Sequence, residues 1–156
     1  MPKEIEKKFL LKNNSWKKEI THTTIIKQSY MYINKGIVRI RIINEKNAFL
    51  TLKSKNSGLT RNEYEYEIPI SHAHEIMNTL CDSNILHKKR HHLFFATNEW
   101  VIDEFLDKNA PLITAEIELE SPKQEFLRPN WLGKEVSNDT RYYNANLIIT
   151  PYSEWK

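Results

Sequence analysis

Glu4-Ile5-Glu6-Lys7-Lys8 lies within a segment, residues 3–11, whose even positions carry Glu4, Glu6 and Lys8 and whose odd positions include Ile5, Phe9 and Leu11. A strand turns successive side chains to opposite faces, so this pattern gives one charged face and one mostly apolar face. Glu4 and Glu6 would stand about 7 Å apart at the backbone, and each side chain is long enough to swing toward a shared divalent cation. Lys8, one step further along, could hold a phosphate oxygen. An amphipathic strand with a solvated charged side has the same pattern, so the choice between them rests on the strands that follow.

Most of the chain continues in the same period. Residues 23–34 are largely β-branched or aromatic and end at Asn34-Lys35-Gly36, a hairpin signal. In 37–43, Val38, Ile40 and Ile42 alternate with Arg39 and Arg41; in 48–55, Phe49, Thr51 and Lys53 share a parity. Asn56-Ser57-Gly58 reads as a turn into 60–70, where Arg61, Glu63, Glu65 and Glu67 oppose Tyr64, Tyr66 and Ile68. Three more strand-like runs follow at 85–95, 99–105 and 112–120. The first places Lys88 and Arg90 on one parity, the second sets Asp103 between Val101 and Phe105, and the third opposes Glu116, Glu118 and Glu120 to Ala115, Ile117 and Leu119. Eight strands are therefore expected, with one nearly all-charged face sorted by strand into acids and bases. Arg39 and Arg41 would repel by roughly 2 kcal/mol at about 7 Å and an effective dielectric near 20. They need counter-charges, either solvent and salt on an outer surface or carboxylates and a bound anion across a barrel interior.

Helices are few. Ser71 caps a predicted helix to about Ser83, with Ala73, Ile76, Met77, Leu80 and Cys81 at helical spacing as core packing. Ser121-Pro122-Lys123-Gln124 has the form of a capping box and predicts a second helix, ended by Pro129. Residues 16–20 suggest a short turn, Ser137 could cap a third helix through Arg141 and Tyr142, and 146–156 reads as extended or irregular.

The chain of 156 residues is long enough for one compact domain, expected over 1–156. Hydrophobic residues at 40% and charged ones at 28% exclude a disordered or helical membrane protein. A charged N-terminal stretch without an apolar segment argues against a signal peptide, and Cys81 alone forms no intrachain disulfide; together they predict a cytoplasmic setting. The net charge of +3, with no long basic block, gives no nucleic-acid footprint. His91 and His92 point to opposite faces, so the histidines at 87, 91 and 92 lack ligand spacing for a metal. Trp131 and Trp155 read as staples for the C-terminal segment.

The order of these elements is what carries a resemblance. Glu4-x-Glu6-x-Lys8 is similar to the ExExK signature of the CYTH superfamily, the triphosphate tunnel metalloenzymes. Gln28-Ser29-Tyr30, Val38-Arg39-Ile40-Arg41, Leu52-Lys53-Ser54, Arg61-x-Glu63-Tyr64-Glu65, Lys88-x-Arg90, Asp103-x-Phe105, Glu116-Ile117-Glu118 and Asp139-x-Arg141-Tyr142 resemble its successive motifs in its order. Lys27, Ser29 and His91-His92 depart from the compact bacterial members, without removing a candidate ligand.

The resemblance implies an α+β, mainly β protein: an eight-stranded antiparallel β-barrel, or tunnel, with a few short helices packed outside. It implies metal-dependent hydrolysis of a small-molecule triphosphate with Mg2+ or Mn2+, foremost inorganic tripolyphosphate to pyrophosphate and phosphate. Adenylate cyclase and thiamine triphosphatase are the enzymatic alternatives, and a non-catalytic polyphosphate or nucleotide binder is the alternative of another class. By the same resemblance Lys8, Arg39, Arg41, Lys53, Lys88 and Arg90 would bind phosphates. Glu4, Glu6, Glu116 and Glu118, with Asp103, would bind metal. Glu63 and Glu65 would hold a second cation, orient the basic groups or position the attacking water. Tyr30, helped by a lysine such as Lys88 whose pKa falls among other cations, is a candidate to pass a proton, with packing at a barrel end as the alternative.

Overall fold

A computed structural model of the chain describes residues 3–55, 60–81 and 84–156. The expected strands form as β1 Lys3–Leu11, β2 Ile20–Ile33, β3 Gly36–Ile43, β4 Asn47–Ser54, β5 Thr60–Ile68, β6 Leu86–Phe95, β7 Asn98–Phe105 and β8 Ile113–Glu118, with a short β9, Leu132–Glu135. They pair antiparallel in the order β5-β4-β3-β2-β6-β7-β8-β1, and a further β1–β5 pairing closes the ring. The result is the expected eight-stranded barrel, with β9 as an extra strand laid beside the C-terminal half of β1. Gly133 is required there, because a Cβ at this position would come within 2.7 Å of the Leu10 carbonyl oxygen. The turn expected at residues 56–58 lies outside the described residues.

Closure turns the charged parity inward and the apolar parity outward, so the outer wall needs covering. Helix α1, Ile70–Thr79, does this for β3 and β4 by packing Ala73 and Met77 against Ile40, Ile42 and Ala48. It begins after Pro69 rather than at a Ser71 cap, and Ser71 lies within it. The residue expected to end it, Ser83, lies outside the described residues.

The other half of the wall is covered without a regular helix. A 3-10 turn, Ser15–Glu19, buries Trp16 against this side. The helix expected from Ser121 does not form: Gln124 does accept from the Glu120 backbone N–H at 2.6 Å, yet the segment runs on as turns and irregular chain. Tertiary burial overrides the local cap signal. Here Phe126 lies edge-on to Phe9 and Trp100, and fully buried Trp131 meets Trp100 at 5.4 Å between ring centroids.

The tail also differs from its reading. A 3-10 turn, Thr140–Tyr142, is capped by Asp139, whose side chain accepts from the Arg141 N–H; α2, Asn144–Ile149, follows where irregular chain was expected. Leu147 of α2 is fully buried and packs with Leu86, Phe105, Leu112 and Tyr142. Leu86, Phe105 and Leu112 share the inward parity of their strands, so α2 completes an apolar floor beneath the charged interior. A helix of six residues is shorter than the window over which helical period can be read. Among the described residues no helix is long and apolar enough to cross a membrane.

Trp131→Ala would uncover the wall formed by β1, β7 and β8, and a loss of about 3–5 kcal/mol is expected for truncating a buried aromatic residue. Urea denaturation followed by circular dichroism measures it.

Candidate active site

Above the apolar floor, the inward side chains enclose a cavity of about 630 Å³, within the range of about 300–1,000 Å³ usual for small-molecule sites. Its lining includes Glu4, Glu6 and Lys8 of β1, Tyr30 of β2, Arg39 and Arg41 of β3, Lys53 of β4, Arg61, Glu63 and Glu65 of β5, Arg90 of β6, and Glu116 and Glu118 of β8. Of the residues expected to bind phosphate or metal or to act in catalysis, Lys88 and Asp103 lie outside this lining. Both are completely buried beneath it.

Those two form the tightest charge cluster in the barrel. Lys88 Nζ donates to Asp103 Oδ2 at 2.7 Å, and Arg90 donates through Nε to Oδ1 at 2.8 Å and through Nη2 to Oδ2 at 2.9 Å. Burial alone would raise the Asp103 pKa, but Arg90 and Lys88 outweigh it and hold the carboxyl far below its ordinary range. The Lys88 ammonium is pulled well down by burial and by Arg90, against the opposing pull of Asp103. Both oxygens of Asp103 are thus engaged by cations, and Lys88 has a further hydrogen bond at 3.5 Å to Asn144 Oδ1 and lies over the Phe105 ring.

Around the cavity most charges are matched between strands, some of them with one strand in between. Lys53 meets Glu4 at 2.9 Å and Glu63 at 3.1 Å; Arg61 meets Glu4 at 3.3 Å; Arg39 meets Glu65 at 3.2 Å. Lys8 meets Glu116 at 3.3 Å and donates to the Tyr142 carbonyl at 3.0 Å. Burial would raise the Glu4 pKa, but Lys53 and Arg61 lower it to about 2.

Three groups are left over. Among the described residues Arg41 has no carboxylate partner; its Nε donates to Gln28 Oε1 at 2.9 Å, and burial, Arg39 and Arg90 all disfavour its charge. On the opposite wall Glu6 and Glu118 stand directly across the β1–β8 pairing and make no ion pair among the described residues. Burial, Glu116 and Glu4 push the Glu6 carboxyl up to about 8, and burial with Glu4 and Glu63 raises Glu118. The cavity is thus short of a negative charge on one side and of a positive charge on the other.

Sequence reading gave no role to several residues of this network. Gln28 and Thr51 are fully buried and shared the inward parity of Tyr30 and Lys53, which is the signal that could have found them; Thr51 donates to Glu65 at 2.8 Å. Asn144 and the Tyr142 carbonyl come from the tail and carried no such signal. The histidines separate as their parities require. His91 packs outward on Trp16 and contacts Glu104 at 3.0 Å, whereas His92 lines the cavity and stacks on His22 at 4.1 Å between ring centroids.

A closed antiparallel barrel that carries charge of both signs inside and apolar residues outside is built to bind an ionic small molecule. Within that class the chain belongs to the CYTH domain family, which it matches over residues 2–150. It is 41% identical over 157 aligned residues to a protein of Acetivibrio thermocellus named inorganic triphosphatase, covering 100% of this chain and 99% of that protein. It is 29% identical to an inorganic triphosphatase of Nitrosomonas europaea, over 94% of this chain and 97% of that one. A crystal structure described as an inorganic triphosphatase superposes with a TM-score of 0.65 at 27% identity, over 94% of this chain and 97% of that one.

Two outcomes follow from the charges. Asp103→Asn leaves Lys88 and Arg90 buried without full compensation, and a destabilisation of about 3–5 kcal/mol is expected, read from the shift in urea midpoint. Glu6 behaves differently. Its folded pKa of about 8 exceeds the ordinary 4.5, so the stability it contributes is complete below 4.5 and is lost as pH rises through 8. In chelator, Glu6→Gln should match the parent protein in Tm near the lower value and exceed it above the upper one, by scanning calorimetry.

Proposed function

We propose that the chain hydrolyses inorganic triphosphate to pyrophosphate and phosphate with the help of a divalent cation. The observation that carries this reading is the pair of opposite deficits across one cavity, among the described residues: Arg41 without a carboxylate, and Glu6 and Glu118 without a cation. A metal-bound polyphosphate supplies both missing charges together. The names of the two curated relatives and of the superposed structure support the same substrate.

The acidic wall fits a hard cation. Its donors are carboxylate oxygens, the set that suits Mg2+ or Mn2+, and a nearby cation would favour the charged form of the Glu6 carboxyl. Among the described residues no three acidic or imidazole groups already converge on one point, and Glu6, Glu118, Glu4 and Glu116 are the side chains that would hold the ion. Glu6 and Glu118 are the primary ligands in this reading. Glu4 and Glu116 can join by exchanging their partners Lys53, Arg61 and Lys8 for the cation. Once bound, the ion would neutralise charge developing on the phosphoryl oxygens and could lower the pKa of a water.

The protein's own part is positioning and electrostatics. Lys8, Arg39, Arg41, Lys53 and Arg90 reach the cavity from four strands and would hold the oxygens of one triphosphate in a fixed arrangement. Arg61 stands at the seam where β1 meets β5. Lys88 and Asp103 serve from below, with Asp103 fixing the guanidinium plane of Arg90. Glu63 and Glu65 hold Lys53 and Arg39 and are placed to orient a water at the same wall. A lone Cys81, with no helix among the described residues that could cross a membrane, supports a reducing, cytoplasmic setting.

The deciding experiment measures phosphate and pyrophosphate release from tripolyphosphate, ATP, thiamine triphosphate and pyrophosphate, each with Mg2+, with Mn2+ and with chelator, while following cyclic AMP from ATP. Metal-dependent cleavage of tripolyphosphate is the expected result. Cyclic AMP formation, or tight tripolyphosphate binding with no turnover, would overturn the reading. Arg41→Ala should lower kcat/KM for tripolyphosphate by about 10- to 100-fold, the value of one or two charge-assisted hydrogen bonds, while leaving Tm unchanged or raised because its charge is unpaired in the free protein.

A further inference from the structure

Gln28 is fully buried on β2, between Arg41 on the neighbouring strand and Tyr30 two residues along. Its amide makes two contacts: Arg41 Nε to Oε1 at 2.9 Å, and Nε2 to the Tyr30 hydroxyl oxygen at 2.5 Å. The direction of both bonds is fixed by chemistry. A guanidinium can only donate, so the amide oxygen must face Arg41 and the amide NH2 must face Tyr30. The Tyr30 oxygen therefore accepts from Gln28, and its own proton must point elsewhere.

Nothing in the described protein takes that proton. Tyr30 donates to no group among the described residues, and the charged side chains that act on it most strongly, Arg39, Arg41, Lys8 and Arg61, are cations. Burial holds the phenol protonated, above its ordinary pKa. Its ring lines the cavity.

We propose that Gln28 is a positioning residue that uses the donor-only character of Arg41 to turn the Tyr30 hydroxyl proton into the cavity, where it donates to an oxygen of the bound polyphosphate. This rests on the substrate reading above and adds the direction of one hydrogen bond to it. Tyr30 then acts as a donor to the anion, beside the two Nη groups of Arg41 that the Gln28 contact leaves free. The same glutamine thus sets two donors toward one ligand while touching neither ligand nor solvent.

Gln28→Glu tests the direction. The carboxylate keeps the length and the Arg41 contact but has no donor, so Tyr30 would give its proton to residue 28 and turn away from the substrate. The expected result is a fall in kcat of about 10- to 100-fold, together with a raised KM because the new carboxylate also pairs with Arg41. In the Tyr30→Phe background the same substitution should still raise KM through Arg41 but change kcat by under about twofold, because the hydrogen bond it redirects is already gone. An equal fall in kcat in both backgrounds, or no fall in kcat in the parent, would overturn the proposal.

A second measurement needs neither turnover nor a Gln28 variant. In a 15N-edited NMR spectrum of the unliganded protein, one side-chain amide proton of Gln28 should be displaced downfield by its short bond, and Tyr30→Phe should return it to the ordinary range. A resonance that is undisplaced, or that ignores Tyr30→Phe, overturns the assigned direction. Failure of the unsubstituted protein to cleave any triphosphate would instead sink the substrate reading, and the NMR result would still decide the orientation of Gln28.

Discussion

The barrel closes where β1 meets β5. Among the described residues that seam pairs Lys3↔Asn62, Glu4↔Arg61 and Ile5↔Thr60. Side chains that cross it add to these backbone bonds. Glu4 is one, accepting from Lys53 at 2.9 Å and from Arg61 at 3.3 Å, while Glu63 meets the same lysine from β5 at 3.1 Å. Without closure the charged parity would face water, as an ordinary amphipathic sheet does. With it, the same residues face one another across a cavity, where each ionised group needs a partner.

The distribution of partners follows from that demand. Matched pairs settle the charges near the seam, and the Asp103 cluster settles those just above the floor. What remains unmatched sits between them, on walls that face each other. The site is therefore defined less by which residues are charged than by which charged residues the protein fails to satisfy. A barrel lined with complete ion pairs would be sealed by its own salt bridges; this one keeps a vacancy of each sign where an ionic ligand fits.

Much of this was legible in the chain because strand period is simple. Alternation sorted Arg39 and Arg41 from Val38, Ile40 and Ile42, and grouped Glu116 with Glu118, without any knowledge of the fold. Alternation does not say which face is inside, and only the succession of motifs from Glu4 to Tyr142 resolved that. Partner choice was out of reach: Asp103 and Glu116 are both inward acids, but only their depth separates a carboxylate clamped by Lys88 and Arg90 from one at the cavity wall. The coverings were misread for a different reason. Ser121-Pro122 has good cap chemistry, yet Phe126 and Trp131 gain more by lying flat on Phe9 and Trp100, and α2 is too short to show a period while Leu147 has a floor to complete.

The position of β1 has a consequence for how the molecule comes into being. It leaves the ribosome before all of its partners, β5, β8 and β9, and Lys8 reaches the Tyr142 carbonyl 134 residues away in sequence. The hairpins of β2 to β5 can form locally as they emerge. β1 must wait, its apolar face uncovered, until β8 and the segment around Tyr142 have been made. Topologies dominated by such distant pairings fold slowly, in milliseconds to seconds, and the alternating charges on β1 keep the waiting strand from pairing with a neighbouring nascent chain.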